Sequence, residues 1–393
     1  MIYLDNNATT RPCPGAIAAA HFAMEEAWQN PSSTHRPGQQ TRAKIEMARR
    51  SIAELVGCLP REVLFTSSGT EAIHLAIRGV LGARPRTDPP PLVVSSPVEH
   101  SAVRELLPEL EARGEARARW LKVDGAGRLS LDSLAEAIAE KPAIVSLQWA
   151  NNETGVIQPI HEAARLCAAA GVVLHCDGVQ WVGKEETRLS ADGPAAPLLT
   201  LSPHKFHGLK GVGCLVIRPG VRLRPQMPGH QELGRRAGTE NVPGILAAGA
   251  AADEARTWLS DPSFRAQQGV LRDRFENAIV AGCPGAVVNG AGAPRLWNTS
   301  NIGFPRLEAE AILLALSERG VCASAGAACA SGSLDPSPVL RAMGIAPEVA
   351  HGSVRFSLSR QTTREEIDRA VEIAIRCVNS LRASTSAAID PGS

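Results

Sequence analysis

The sequence predicts an α/β domain built on a mostly parallel sheet, followed by a smaller α+β domain. Three observations lead there. From about Arg42 to Ile217, segments of helical period alternate with short apolar runs, the pattern of strand–helix units that build a parallel sheet. From about Thr257 onward the pattern changes to long helical stretches around short strands. And 393 residues exceed one small core, so two or three domains are expected.

The elements follow in order. TRAKIEMARRSIAELVG (41–57) reads as an amphipathic helix stopped by Gly57, and EVLFTSSGTEAIHLAI (62–77) as a strand turning directly into a helix. PLVVSS, PAIVSLQ, GVVLHCD, PLLTLS and GCLVIRP are further strands, most of them separated by helical or turn segments. RPRTDPPP (84–91) is a loop by composition. In the later part LEAEAILLALSERG and TREEIDRAVEIAIRCVNSL read as helices and SVRFSLS as a strand, while ASTSAAIDPGS (383–393) reads as a disordered tail.

Composition narrows the function. Hydrophobic residues are 44% and charged residues 21%, ordinary for a soluble enzyme. Lys plus Arg number 41 against 40 Asp plus Glu, leaving no excess charge to favour nucleic acid or an anionic membrane, so a small-molecule substrate is expected. The opening MIYLDNNATTRPCPG lacks a basic stretch followed by an apolar one, and the longest apolar run, VPGILAAGAAA, is far short of the ~20 residues of a membrane span; a cytoplasmic protein is expected. Nine cysteines without a C-x-x-C pair suggest neither a disulfide framework nor a zinc ribbon.

In an α/β sheet ligands gather at the carboxyl ends of strands, and several strand ends here carry chemistry. LTLSPHKFHGLKGVG delivers Lys205 between His204 and His207; it is either a basic turn or a lysine kept near neutrality to form a Schiff base. A Schiff-base lysine for pyridoxal phosphate (PLP) needs an anion seat, a carboxylate for the pyridine nitrogen and a group to bind substrate. Ser67, Ser68, Gly69 and Thr70 open a helix after a strand, a geometry that binds phosphate and equally an ordinary capping box. Asp177 ends the strand GVVLHCD with Gln180 three residues on, either a pyridinium partner with a neighbouring donor or a turn cap. His100 in SSPVEHSAV can stack on a ring and move protons, or simply cap a helix. Cys329, among the small residues of ASAGAACASGS, is set in a composition that predicts an exposed loop where a thiolate can reach a ligand.

Taken together, YLDNNATT, NPSS, FTSSGTEA, EHSAV, NNETGVIQPI, CDGVQ, SPHKFHGLKGVG, GRRAGTEN, CASGSLDPSPVLRAMG and VRFSLSRQTTREEID resemble the cysteine desulfurases of the NifS/IscS type, class-V aminotransferases among the fold-type-I PLP enzymes. The similarity runs from Ile2 to about Leu381, with the motifs in the same order, and the long segment ending SLDPSPVL is of the NifS/IscS kind. SAGAAC stands in place of a more serine-rich stretch, Leu209 where proline is common and Leu233 where arginine is common.

The resemblance implies a seven-stranded sheet in a PLP-binding domain over 15–256. It also implies a segment 1–14 packing with a small domain 257–381 that carries Cys329, and a tail 382–393. Lys205 would be the Schiff-base lysine, Asp177 the pyridinium partner, Gln180 the donor to the phenolic oxygen and His100 the stacking acid/base. Gly69, Thr70, Ser202 and His204 would hold the phosphate, with Thr239 crossing from the second copy of a homodimer. Asn152, beside the cofactor, and Arg355 would bind the carboxylate of L-cysteine, and Cys329 would take the sulfur as a persulfide for an acceptor such as an iron–sulfur scaffold. A selenocysteine lyase or another β-eliminating PLP enzyme is the alternative from the same pocket. A non-catalytic scaffold would have no need of the Lys205, Asp177, His100 and Cys329 set.

Overall fold

The computed structural model describes residues 1–85, 87–189, 196–326 and 336–389. After β1 (Ile2–Tyr3), the strands β2 (Val63–Thr66), β3 (Leu92–Ser95), β4 (Arg117–Trp120), β5 (Ile144–Gln148), β6 (Val173–Asp177), β7 (Leu198–Leu201) and β8 (Gly213–Ile217) form one seven-stranded sheet in the order β2-β8-β7-β6-β5-β3-β4. β3, β4, β5, β6 and β7 run parallel, and only β8 opposes its neighbours β7 and β2. The two reversals at β8 cancel, so β2 points the same way as β7. The carboxyl ends of β2, β3, β5, β6 and β7 therefore share one rim.

Side chains alternate between the faces of this sheet, and each face has its own core. Phe65, Val94, Val145, Leu174, Cys176 and Leu199 face one cluster, whereas their neighbours Leu64, Val93, Ile144, Leu198 and Leu215 face another. β4 was not foreseen. Its sequence RARW has no apolar run because it is an edge strand, and charged side chains on an edge discourage further pairing.

The helix expected over 41–57 begins earlier, at Arg36, where the His35 ring accepts from the Gly38 amide. It ends as expected at Gly57, whose φ of 69° closes the last turn.

The second unit is antiparallel. β9 (Val287–Val288), β10 (Thr299–Gly303), β12 (Ser324–Ala325) and β13 (Ser353–Ser357) pair in the order β12-β13-β10-β9, while β11 (Val321–Cys322) pairs in parallel with β1. The helices Pro262–Gly282, Ala309–Ser317 and Arg364–Ile389 close its core around Phe275, Ile312, Phe356 and Ile367. Two expected boundaries shift. The helix Val242–Leu259 runs across position 257 and still contributes Ala255 and Leu259 to the sheet's core, so the change of core follows Leu259. The final helix continues to Ile389, past the expected start of a tail at 382; its EIDRAVEIAIRCV face packs on the second core, which it lines as far as Leu381.

Candidate active site at the shared strand rim

The strand ends and the loop after β1 enclose a cavity of about 680 Å³. Gly69, Thr70, His100, Asn152, Asp177, Gln180, Ser202, His204, Lys205 and Arg355 all line it. Two of the residues predicted from sequence are not among its lining: Thr239 lies exposed in the segment before the helix Val242–Leu259, and Cys329 falls outside the described residues.

The anion seat is built at the start of the helix Gly69–Gly82. Ser68 caps it by accepting from the Glu71 amide at 3.1 Å, which leaves the Gly69 and Thr70 amides at the helix mouth. The reciprocal arm of the expected capping box reaches one residue further back, Glu71 accepting from the Ser67 amide at 2.7 Å. β8 passes so close beneath that a Cβ on Gly213 would lie 2.2 Å from the Ser68 backbone; only glycine permits this approach.

Asp177 ends β6 in a fully buried position, its Oδ1 accepting from the Val179 amide at 3.0 Å. Burial raises its carboxyl to about 6, opposed by that hydrogen bond and by the Lys205 cation. The turn that follows reverses through Gly183 at φ 78°, where a Cβ would strike Phe206 at 2.4 Å. Lys205 stands just before Phe206, and its Nζ donates to the carbonyls of Asn7 at 2.7 Å and Ala8 at 2.9 Å.

His100 caps the next short helix, its Nδ1 accepting from the Ala102 amide at 3.1 Å, so the neutral ring carries its proton on Nε2. Burial, then Lys205 and Arg104, hold it down at about 4. Arg355, on β13 of the second unit, donates to Asp5 Oδ1 at 2.7 Å and to the Asn152 carbonyl at 3.1 Å.

Three buried polar atoms of the cavity wall, Glu99 Oε2, Asn152 Oδ1 and Arg355 Nε, have no hydrogen-bond partner among the described residues. Each such atom costs ~1–3 kcal/mol unless something polar meets it, so the wall is shaped for a polar occupant. A larger open groove between the helices Pro14–Glu26 and Arg36–Val56 has no comparable set.

The sequence profile of the family described as Aminotransferase class-V matches residues 2–370. Cysteine desulfurase 2 of Trichormus variabilis is 45% identical over 98% of this chain and 94% of its own length. The cysteine desulfurase NifS of Azotobacter vinelandii is 45% identical over 97% of this chain and 93% of its own. The chain belongs to the class-V aminotransferase family, among its cysteine desulfurases. Among solved structures, a NifS-like protein superposes with a TM-score of 0.88 at 31% identity, covering 97% of this chain and all (100%) of its own. Another, described as SspA in complex with cysteine, has a TM-score of 0.79 at 27% identity and covers 92% of this chain and 100% of its own.

Class-V aminotransferases imply PLP, and the residues present fit it. A pair of helix amides and wall polar atoms without partners among the described residues, a buried carboxylate and a lysine amine surround one cavity.

Sequence reasoning missed much of what supports this candidate site. Asn7 lay in the quoted YLDNNATT motif without a role, yet it touches Lys205, Gln180, Lys184, Asn298 and Thr299. Lys184, Glu99, Glu153 and Asp5 were also unassigned, since a buried polar residue within a motif announces nothing until its contacts are known. Leu233, noted as a departure, sits exposed at φ 59° beside Glu232 at φ 49°. Glu232 offsets that strain of roughly 1–2 kcal/mol per residue. It binds Arg49 through two 2.8 Å bonds and accepts from the Phe65 amide at 2.8 Å. The segment bearing Thr239 is thus stapled to β2.

No helix among the described residues is long and apolar enough to cross a membrane.

Proposed function

We propose that this cysteine desulfurase uses PLP to remove sulfur from L-cysteine, leaving L-alanine and a persulfide on Cys329 for a protein acceptor such as an iron–sulfur scaffold. We also propose a cytoplasmic homodimer in which Thr239 of each copy completes the other's phosphate seat. The observation that carries the reading is the single cavity lined by Lys205, Asp177, His100 and Arg355 with unpartnered polar atoms on its wall. A solved relative described as a complex with cysteine supports the choice of substrate.

When bound, PLP supplies an electron sink for the substrate's α-carbon. Gly69 and Thr70 amides, Ser202 and His204 would hold its phosphate. Asp177 would keep a proton at the ring nitrogen; a cation there favours its ionised form and brings the carboxyl back below about 6. Gln180 would donate to the phenolic oxygen.

Arg355, aimed by Asp5, and Asn152 would hold the substrate carboxylate and so present the α-proton to the Lys205 amine, which the Asn7 and Ala8 carbonyls seat as a base. His100, neutral throughout the physiological range because its ring stands at about 4, would stack over the ring and pass protons through Nε2. The Cys329 thiolate would form a bond to the substrate sulfur while the carbon–sulfur bond breaks. The electron pair stays on carbon, which takes up a proton to give alanine.

The test is a product assay on purified protein. Alanine and, with a thiol reductant, sulfide are expected in equal amounts from L-cysteine. A protein that makes no alanine from L-cysteine but does so from selenocysteine would overturn the proposed substrate.

A further inference from the structure

Beneath the cavity floor lies a lysine with no role in the chemistry proposed above. Lys184 is 5% exposed and lies four residues past Gln180 in the turns that follow β6. Its Nζ donates to Gln180 Oε1 at 2.5 Å and to Asn7 Oδ1 at 3.1 Å. Those are the only hydrogen bonds of the Nζ to described residues. Among the described residues the charged or titratable groups facing it are Lys205, Arg355, His204 and His207, with no carboxylate among them.

We propose that Lys184 is a positioning residue for the pocket: it turns the Gln180 amide toward the cavity and steadies Asn7, the seat of the Lys205 amine. The assignment presupposes, as proposed above, that the cavity takes PLP.

The geometry fixes each link. An N–H from Lys184 must meet an oxygen, so the Gln180 amide presents Oε1 to Lys184 and Nε2 to the other side. There Nε2 donates to the Asn7 carbonyl at 3.0 Å, and its second N–H is left for the cavity. Asn7 is held on every polar atom. Its Oδ1 accepts from Lys184 and from Asn298 Nδ2 at 3.0 Å. Its Nδ2 donates to Thr299 Oγ1 at 2.9 Å and to the Asn152 carbonyl at 3.2 Å, and its amide to Ser357 Oγ at 2.9 Å. Its carbonyl takes Nζ of Lys205 at 2.7 Å. Lys184 thus ties the turn after β6, the N-terminal loop and the reactive lysine into one network.

Lys184 does this without a charge. A neutral amine has two N–H groups, and two acceptors meet them. An ammonium would need a third acceptor and would sit among cations; burial, then Lys205 and Arg355, push the amine well below the usual lysine range. A neutral amine orients its neighbours without adding a positive charge beside Lys205.

Lys184→Met and Lys184→Gln are compared with the wild type in three measurements: cofactor dissociation constant after reloading the apoprotein, pH midpoint of the bound cofactor's visible band, and kcat and KM for alanine production. Lys184→Met should weaken cofactor binding about tenfold, from the unpaired oxygens it leaves. It should lower kcat by about tenfold or more with KM little changed. The pH midpoint should stay within a few tenths of a unit, because no charge is removed. Lys184→Gln, which keeps a donor for Gln180 Oε1, should recover most of the loss, and it carries the comparison if the Met variant does not fold.

Wild-type cofactor affinity and kcat in Lys184→Met would overturn the positioning role. A midpoint raised by a full unit would show an ammonium at 184 and overturn the neutral amine. A wild type with no visible band overturns the PLP reading and this inference with it. A normal band in the wild type, with cofactor affinity and kcat unchanged in the variants, overturns this inference alone.

Discussion

Replacing Asp177 with asparagine should stabilise the cofactor-free protein at neutral pH while ruining it for PLP. The carboxyl is buried, hydrogen-bonded among the described residues only to the Val179 amide, and stands at about 6 against an ordinary 3.8. A carboxyl raised in the folded state stabilises the fold below its unfolded value, and that contribution is lost as pH rises through about 6. The gap of 6 − 3.8 at ~1.4 kcal/mol per pH unit amounts to ~3 kcal/mol once the group is ionised. An asparagine keeps the Val179 bond through its carbonyl oxygen and never ionises.

The apoprotein of Asp177→Asn should therefore be ~3 kcal/mol more stable than the wild type near pH 8, with the difference closing as pH falls from about 6 toward 3.8. With an unfolding entropy of ~2.1 cal/mol/K per residue, that is a Tm gain of ~4 °C for this chain. The assay is thermal unfolding of both apoproteins from pH 4 to pH 8; most other titrating groups are common to the two and cancel, while Glu99, whose carboxyl the Asp177 charge helps to raise, loses that push in the variant and adds to its gain near neutrality. The cofactor arm should go the other way: with no carboxylate opposite the ring nitrogen, Asp177→Asn should hold PLP weakly and make almost no alanine. A variant no more stable than the wild type at pH 8, or a gap that does not close on acidification, would refute the claim that Asp177 is an uncompensated buried carboxyl waiting for a cation.

Lys205→Ala should remove the cofactor's visible band, because the described cavity offers the ring no other lysine at its wall; a band that persists on spectrophotometry would displace Lys205 from its role. Arg355→Ala should raise KM for L-cysteine at least about tenfold while leaving the band in place, since a buried charge-assisted pair contributes ~2–5 kcal/mol; steady-state kinetics decide it. Cys329→Ser should retain the band but form no persulfide, read by labelling and peptide mass, and label found on Cys322 or Cys214 of the wild type would identify another carrier. Sedimentation should give a dimer, and Thr239→Ala should weaken cofactor binding without touching its own chain's cavity.

How much of this could be read from residues depends on how far each contact lies along the chain. Lys205, Asp177, Gly69 and His100 were legible because each follows an apolar run, and a parallel sheet sends every such strand end to one rim. β4 was not, because an edge strand of alternating arginines has no apolar run. Asn7 and Lys184 were not, because their meaning lies in bonds to residues far away in sequence. Asn7 reaches Ser357 through its amide and Lys205 through its carbonyl, and neither contact has a period or a local pattern that betrays it. The Thr239 segment was legible as a motif alone: its left-handed turn at Glu232 and Leu233 stands only because Glu232 finds Arg49 across the fold.

That distribution has a physical consequence for how the site is assembled. The groups proposed to face the cofactor ride on the sheet, which has its own core, whereas Arg355, proposed to hold the substrate, rides on β13 of the second unit. Between them runs the N-terminal loop, paired to β11 through β1 and bonded to β13 through Asn6, Asn7 and Asp5. The same loop receives the Lys205 amine from the sheet side. A change at Asn7 therefore cannot act on substrate binding or on the lysine alone; it must shift both together. Asn7→Ala, which strips the acceptor for Lys184 and Asn298 and the donor for Thr299, should move KM and cofactor affinity in one step, whereas Arg355→Ala moves only KM.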